Sequence, residues 1–259
     1  MSTSEFPCWD VAVENQVATV SAGEVGDALS SQWQFSEVLI RLRSDDGVRV
    51  VVVAGTEQGF PGRRLSPEQG KTFAADLTKP EHAWRVFSGI IRAHQAIAQM
   101  EKPVVAKVTS DAWGWGASVA FACDIIVAAE HVTFSDPHLM TANSVTPGDG
   151  GIPLMPLYMT PARAKEYLMT GRPYTASELD RLGIINYALP VDQVDAKVAE
   201  LVETLLARRA YALAWTKRLA NKLVNDQLNM SLDASAASEI IDLYQNAYFA
   251  GTPNQTLRD

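Results

Sequence analysis

His138 and Asp149 stand eleven positions apart in DPHLMTANSVTPGDG, a segment otherwise poor in charge. A histidine titrates near neutrality and can take a proton from water, and a neighbouring carboxylate fixes its tautomer and stabilises the cation. That chemistry would make His138 a general base and Asp149 its orienter. The same residues also fit a plainer account, a surface histidine bonded to its own loop followed by a Pro-Gly-Asp-Gly turn. Glu239, inside a helical pattern near the C-terminus, is a weaker catalytic candidate, with a solvated helix face as the alternative. His82, His94 and His131 have spacings that match no metal site, so no metal is expected.

The elements that would have to position these residues follow from periodicity. Residues 10–20, DVAVENQVATV, alternate apolar and polar about Glu14-Asn15 and predict a β-hairpin. Residues 26–45 carry apolar side chains at helical spacing and lead into VRVVVVAG, a β-branched run ending in glycine. The alternation repeats as a helix over 83–99, the strand KPVVAKV, a glycine-rich link, a helix over 116–123 and the strand DIIVAA. Short helices are predicted over 161–171 and 177–183, each closed by a glycine, before YALP returns as a strand. Strands apolar on both faces need helices on both sides, so the fold class is α/β. Residues 1–190 form the expected core domain. Residues 191–259 form a helical region whose apolar stripes, including Leu201, Leu205, Leu213 and Trp215, want a further surface to cover them.

Composition narrows the partners. A formal net charge of −8 and a pI near 5.1, with no basic run, disfavour nucleic acid and anionic membrane surfaces as partners. The longest apolar run, 119–129, is interrupted by Asp124 and is shorter than the roughly 20 residues of a membrane span. The N-terminal residues show no secretion signal, and the two cysteines, Cys8 and Cys123, suit a reducing compartment. A cytoplasmic location is expected.

Three ordered stretches, DDGVRVVVVAGTEQGFPG, EKPVVAKVTSDAWGWGASVAFACDIIVAAEHVTFSDP and TPGDGGIPL with YLMTGRPYTASELDRLGIINYALP, resemble the crotonase, or enoyl-CoA hydratase/isomerase, superfamily. The resemblance implies a spiral of ββα turns with a C-terminal helical oligomerisation region, assembled as a homotrimer or dimer of trimers. It also implies an oxyanion hole made by two backbone amides, here Gly62 and Trp115, that stabilises an enolate. Two glutamates typical of the family's hydratases are replaced by Ser118 and His138, which disfavours hydration by a carboxylate pair. The histidine and aspartate segment is similar to the 6-oxocamphor hydrolase-like β-diketone hydrolases, although the histidine and tryptophan that branch carries near its first helix are not aligned here, where Asp27 and Gln32 stand. This branch implies retro-Claisen hydrolysis of a C–C bond without a cofactor. Trp113, Ser118, His82 and Trp84 would then border the substrate. The alternative is a hydratase or isomerase acting on a coenzyme A thioester, with Arg63, Arg64 and Lys217 as cationic contacts. A catalytically silent homologue is the third possibility.

Overall fold

The computed structural model describes residues 5–24, 27–63, 65–141 and 144–249. The chain opens with β1 (Trp9–Glu14) and β2 (Val17–Ala22), an antiparallel hairpin whose two-residue turn falls on Asn15 and Gln16, both with positive φ. The turn therefore sits one residue later than expected, because a type I′ geometry needs two adjacent left-handed residues. There follow α1 (Ala28–Ser44), β3 (Val50–Ala54), α2 (Pro67–Asp76), α3 (Pro80–Ala98), β4 (Val104–Val108), β5 (Ala112–Trp113), α4 (Trp115–Ala122), β6 (Ile125–Ala129) and β7 (Thr133–Ser135). A 3-10 turn, His138–Met140, leads to α5 (Gly151–Tyr158), α6 (Pro161–Thr170), β8 (Tyr174–Thr175), α7 (Ala176–Arg181) and β9 (Tyr187–Leu189). The chain continues as α8 (Val191–Leu206), α9 (Ala210–Ala220) and α10 (Lys222–Phe249).

Six strands form one sheet in the order β1-β2-β3-β4-β6-β9, parallel from β2 onward, and β5, β7 and β8 form a second. From β4 the chain alternates between the sheets, β4 to β5 and β6 to β7, with a helix closing the first of these turns. This is the expected spiral of ββα turns. The central strands are apolar on both faces; every residue of β3 is buried. Two helices lie outside the sequence expectation. The segment preceding α3 contains α2, started by a Ser66 and Gln69 capping box, and the loop after Asp149 runs directly into α5, which has no side-chain cap and little amphipathic contrast to announce it.

The C-terminal helices share the core of the sheets. Val194 and Val198 of α8 and Leu228 and Leu232 of α10 belong to the main apolar cluster, and Leu201 and Leu205 pack against it, so these two leucines are partly covered within the chain. Trp215 stays exposed. Lys217 is buried, donating to Asp124 at 2.7 Å and to the Lys102 carbonyl at 3.1 Å. Its ammonium is consumed inside the fold and is not a contact for coenzyme A. Among the described residues no helix is long and apolar enough to cross a membrane.

A smaller cluster matters more for the site. Leu77, Ala83, Val86, Phe87 and Ile90 pack with Val145 and with Ala236 and Leu243 of α10. Helix α3 reaches this position by lying tightly on α1: a Cβ at Gly89 would be 2.5 Å from the Trp33 amide nitrogen. Gly89→Ala is expected to force the helices apart and lower stability by about 1–3 kcal/mol, measured as the urea midpoint; an unchanged midpoint would contradict that packing.

Candidate functional site

The GWG stretch brings two distant loops together. Gly114 precedes α4 with φ +53°, a conformation that a side chain makes strained. A Cβ there would lie 3.3 Å from Asp149 Oδ2 and 3.3 Å from His138 Cε1. At Gly116 a Cβ would lie 2.1 Å from the Phe60 carbonyl oxygen, so the segment carrying Gly62 is pressed against the start of α4. Trp115 is the first residue of α4, and an amide there has no partner within its own helix. Its indole packs edge-on against Trp9 and Phe35, anchoring that helix end in the core.

A cavity of about 460 Å³ opens beside these segments. Phe73, Leu77, Val86, Phe87 and Ile90 form its apolar wall, Gly62, Trp113 and Trp115 line it, and His138, Asp149 and Glu239 make its acid–base end. Among the residues expected to border the substrate, Trp113 does so, with its indole donating to Thr133 Oγ1 at 2.9 Å. His82 and Trp84 do not line the cavity. They fall roughly a quarter-turn off the face of α3 that carries Val86, Phe87 and Ile90, at 100° per residue; His82 turns toward Asp76 and Trp84 is exposed. Ser118 is also not a lining residue. It lies behind the loop and donates from Oγ to the Asp149 carbonyl at 2.8 Å. Arg63 lines the cavity and is tethered through Nε to the Gly23 carbonyl at 3.0 Å, whereas Arg64 lies outside the described residues.

The imidazole of His138 is flanked by carboxyl groups at both nitrogens. Nδ1 donates to Asp136 Oδ1 at 2.6 Å, and Nε2 stands 3.5 Å from Asp149 Oδ2 and 3.6 Å from Glu239 Oε1. The residue that fixes the tautomer is therefore Asp136, not Asp149, which sits with Glu239 at the nitrogen facing the cavity. Asp136 escaped the sequence reading although its signal was local: a carboxylate two residues ahead of the histidine can fold back on it, and Oδ1 also accepts from the His138 amide at 3.5 Å. Glu239 is not on a solvated face. Helix α10 presents it to the cavity, and its Oε2 accepts from the Gly148 amide at 3.1 Å. Asp136, His138 and Asp149 bring possible ligand atoms within 4.8 Å of one another, a spacing a cation could span.

Burial alone would lower the proton affinity of His138; the carboxylates of Asp149, Asp136 and Glu239 reverse this and hold it well above the ordinary histidine value. Burial lifts Asp149 to about 8, opposed by His138 and reinforced by Asp136 and Glu239. Burial likewise lifts Glu239 to about 7, again opposed by His138 and reinforced by Asp136 and Asp242. Burial and mutual interaction thus raise all three groups above their ordinary values.

The comparisons agree with this architecture. A family model described as enoyl-CoA hydratase/isomerase matches residues 23–242. A carnitinyl-CoA dehydratase from Citrobacter koseri is 30% identical over 195 residues, 74% of this chain and 70% of that protein. An enoyl-CoA hydratase/isomerase from Mycobacterium paratuberculosis superposes with a TM-score of 0.83 at 23% identity, over 92% of this chain and 94% of that one. A β-diketone hydrolase from the cyanobacterium Anabaena, solved with (S)-3-oxocyclohexyl acetic acid, superposes with a TM-score of 0.82 at 19% identity, over 94% and 96%. At these identities the two structures establish the shared fold.

The proton affinities set a pH dependence of stability. Folded Asp149 keeps its proton to about pH 8 while the unfolded carboxyl releases it near 3.8, so the folded state binds more protons across that window. Stability then falls as pH rises, by up to ~1.4 kcal/mol per unit for each such group. Glu239 acts in the same direction between its ordinary 4.5 and about 7, and the stabilisation from the raised His138 is lost as pH climbs through its folded value. The melting temperature is expected to decline from pH 5 to pH 9, with a shallower decline in Asp149→Asn; parallel curves for the two proteins would contradict the burial argument.

Proposed function

The chain belongs to the enoyl-CoA hydratase/isomerase family, and on that footing we propose that it hydrolyses a C–C bond in a cyclic or branched β-diketone by a retro-Claisen reaction. The observation that carries this reading is the His138 imidazole, bonded at Nδ1 to Asp136 and turned at Nε2 toward the cavity and a pair of carboxyls. An imidazole oriented by a carboxylate is suited to activating water.

In the proposed sequence, Nε2 of His138 removes a proton from water as its oxygen bonds to one carbonyl carbon of the diketone. The base form exists when a carboxyl of Asp149 or Glu239, rather than the ring, holds the shared proton. Collapse of the adduct breaks the C–C bond, forms a carboxylic acid and leaves the bonding pair on the α carbon as an enolate. The Gly62 and Trp115 amides hold the enolate oxygen; removing one such donor typically costs about 3 kcal/mol in a transition state. The imidazolium then returns the proton to carbon, completing a keto acid. The step consumes one water and needs no cofactor. The apolar wall of Phe73, Leu77, Val86, Phe87 and Ile90 suits a hydrocarbon skeleton, and the cavity falls in the usual range for small ligands.

A second reading, a hydratase, dehydratase or isomerase on a coenzyme A thioester, draws support from the carnitinyl-CoA dehydratase likeness and from Asp149 and Glu239, which form a carboxyl pair poised near neutrality. Arg63 at the cavity would meet a phosphate in that case. The exposed Tyr211, Trp215 and Leu219, spaced four apart along α9, fit the proposed homotrimer or dimer of trimers.

Parallel incubations with a bicyclic β-diketone and with crotonyl-CoA, followed by mass spectrometry for the gain of one water, separate the readings. A keto acid from the diketone alone is the expected result; turnover of the thioester alone would transfer the protein to the second reading. His138→Ala is expected to reduce diketone cleavage by about 10²–10⁴-fold with an unchanged circular dichroism spectrum. Undiminished turnover would remove the imidazole from the reaction.

A further inference from the structure

One face of α10 holds the backbone that precedes Asp149. Asp242 Oδ2 accepts from the Thr146 amide at 2.7 Å and from the Thr146 hydroxyl at 2.6 Å, a connection between residues 96 apart in the chain. Glu239 Oε2 accepts from the Gly148 amide, and Ser235 Oγ donates to the Gly148 carbonyl at 3.4 Å. Ser235, Glu239 and Asp242 follow one another at the four- and three-residue spacing that puts side chains on one side of a helix. The backbone lies directly on that side: a Cβ at Gly148 would be 2.5 Å from the Ser235 carbonyl oxygen and 2.8 Å from Glu239 Cβ.

We propose that Asp242 is a positioning residue for the acid–base centre, holding residues 146–148 through Thr146 so that Asp149 and Glu239 keep their places at His138 Nε2. Two hydrogen bonds to a single carboxylate oxygen are short and charge-assisted, about twice as strong as neutral ones. Pro147 and Gly148 separate Thr146 from Asp149, so a shift at Thr146 passes along a short backbone into the site. The helix that supplies Asp242 also supplies Glu239, which makes α10 a common reference for both carboxyls. The groups facing Glu239 are His138 from the 3-10 turn, Asp136 just after β7, Asp149 and the Gly148 amide from the held segment, and Asp242 from α10 itself. From α3, which packs against the same region, His94 abuts Gly150; burial lowers it to about 4 and keeps it neutral, so it adds no charge. His138 is the cation of the group.

The role rests on the cluster being the proton-transfer centre, and the test has one arm that needs no substrate. Asp242→Asn keeps a carbonyl oxygen able to accept both bonds from Thr146; Asp242→Ala keeps none. In the full chain, Asp242→Ala is expected to lower kcat for the bicyclic β-diketone tenfold or more with KM within about threefold, and Asp242→Asn to recover most of it. By nitrogen NMR, the His138 imidazole should titrate closer to an ordinary histidine in Asp242→Ala and stay raised in Asp242→Asn. Thr146→Val, which removes the hydroxyl and keeps the amide, should fall between them and serves if Asp242→Ala does not fold. A folded Asp242→Ala or Thr146→Val with wild-type imidazole titration would overturn the role, whatever the turnover. A wild-type protein inert toward the diketone would count against the proposed reaction, while the titration arm still decides the role of Asp242.

Discussion

The arrangement depends on one buried imidazole kept between opposing carboxylates. Asp136 holds its Nδ1, and Asp149 and Glu239 share the neighbourhood of Nε2. Without the imidazolium the three carboxyls would repel one another in a site with little water; without the carboxylates the ring would be driven neutral by burial. Each group is tolerable because the others are there. The same mutual dependence raises the imidazole and both carboxyls above their ordinary values.

The fold meets this demand by bringing four separate parts of the chain to one place. The 3-10 turn after β7 supplies His138, the loop into α5 supplies Asp149, α10 supplies Glu239, and α4 approaches from behind Gly114. Glycine at 116 and 148 allows these backbones to come closer than any side chain would permit, and glycine at 114 takes the positive φ that leads into α4. Opposite this polar end, α2 and α3 provide an apolar wall, so the cavity joins a hydrocarbon-lined chamber to a charged corner.

Membership of the enoyl-CoA hydratase/isomerase family accounts for the two sheets, the spiral order and the aligned helices. It does not by itself select a reaction, because one scaffold serves many functions. Selection comes from the side chains placed around the cavity. Here Ser118 supports the backbone at Asp149, while a histidine with its own carboxylate faces the cavity.

The α/β class, the order of the main-sheet strands with the helices other than α2 and α5, and the pairing of His138 with Asp149 in one neighbourhood were legible in the amino-acid sequence; the short strands of the second sheet were not. Apolar periodicity and β-branched runs report burial directly, and the GWG and PGDG stretches mark where backbone must bend or approach closely. Asp136 was readable in principle, because its contact with His138 is local. The division of labour between Asp136 and Asp149 was not, since it depends on which ring nitrogen each carboxylate meets. Nor could periodicity place Glu239 in the site, or Trp84 outside it: the angle at which α10 and α3 cross the cavity is a product of packing between residues far apart in the chain. Local composition therefore determined the elements and the likeness to a family, and tertiary structure decided which carboxyls share a proton, because only close packing sets distances between segments and removes the water that would otherwise keep their charges apart.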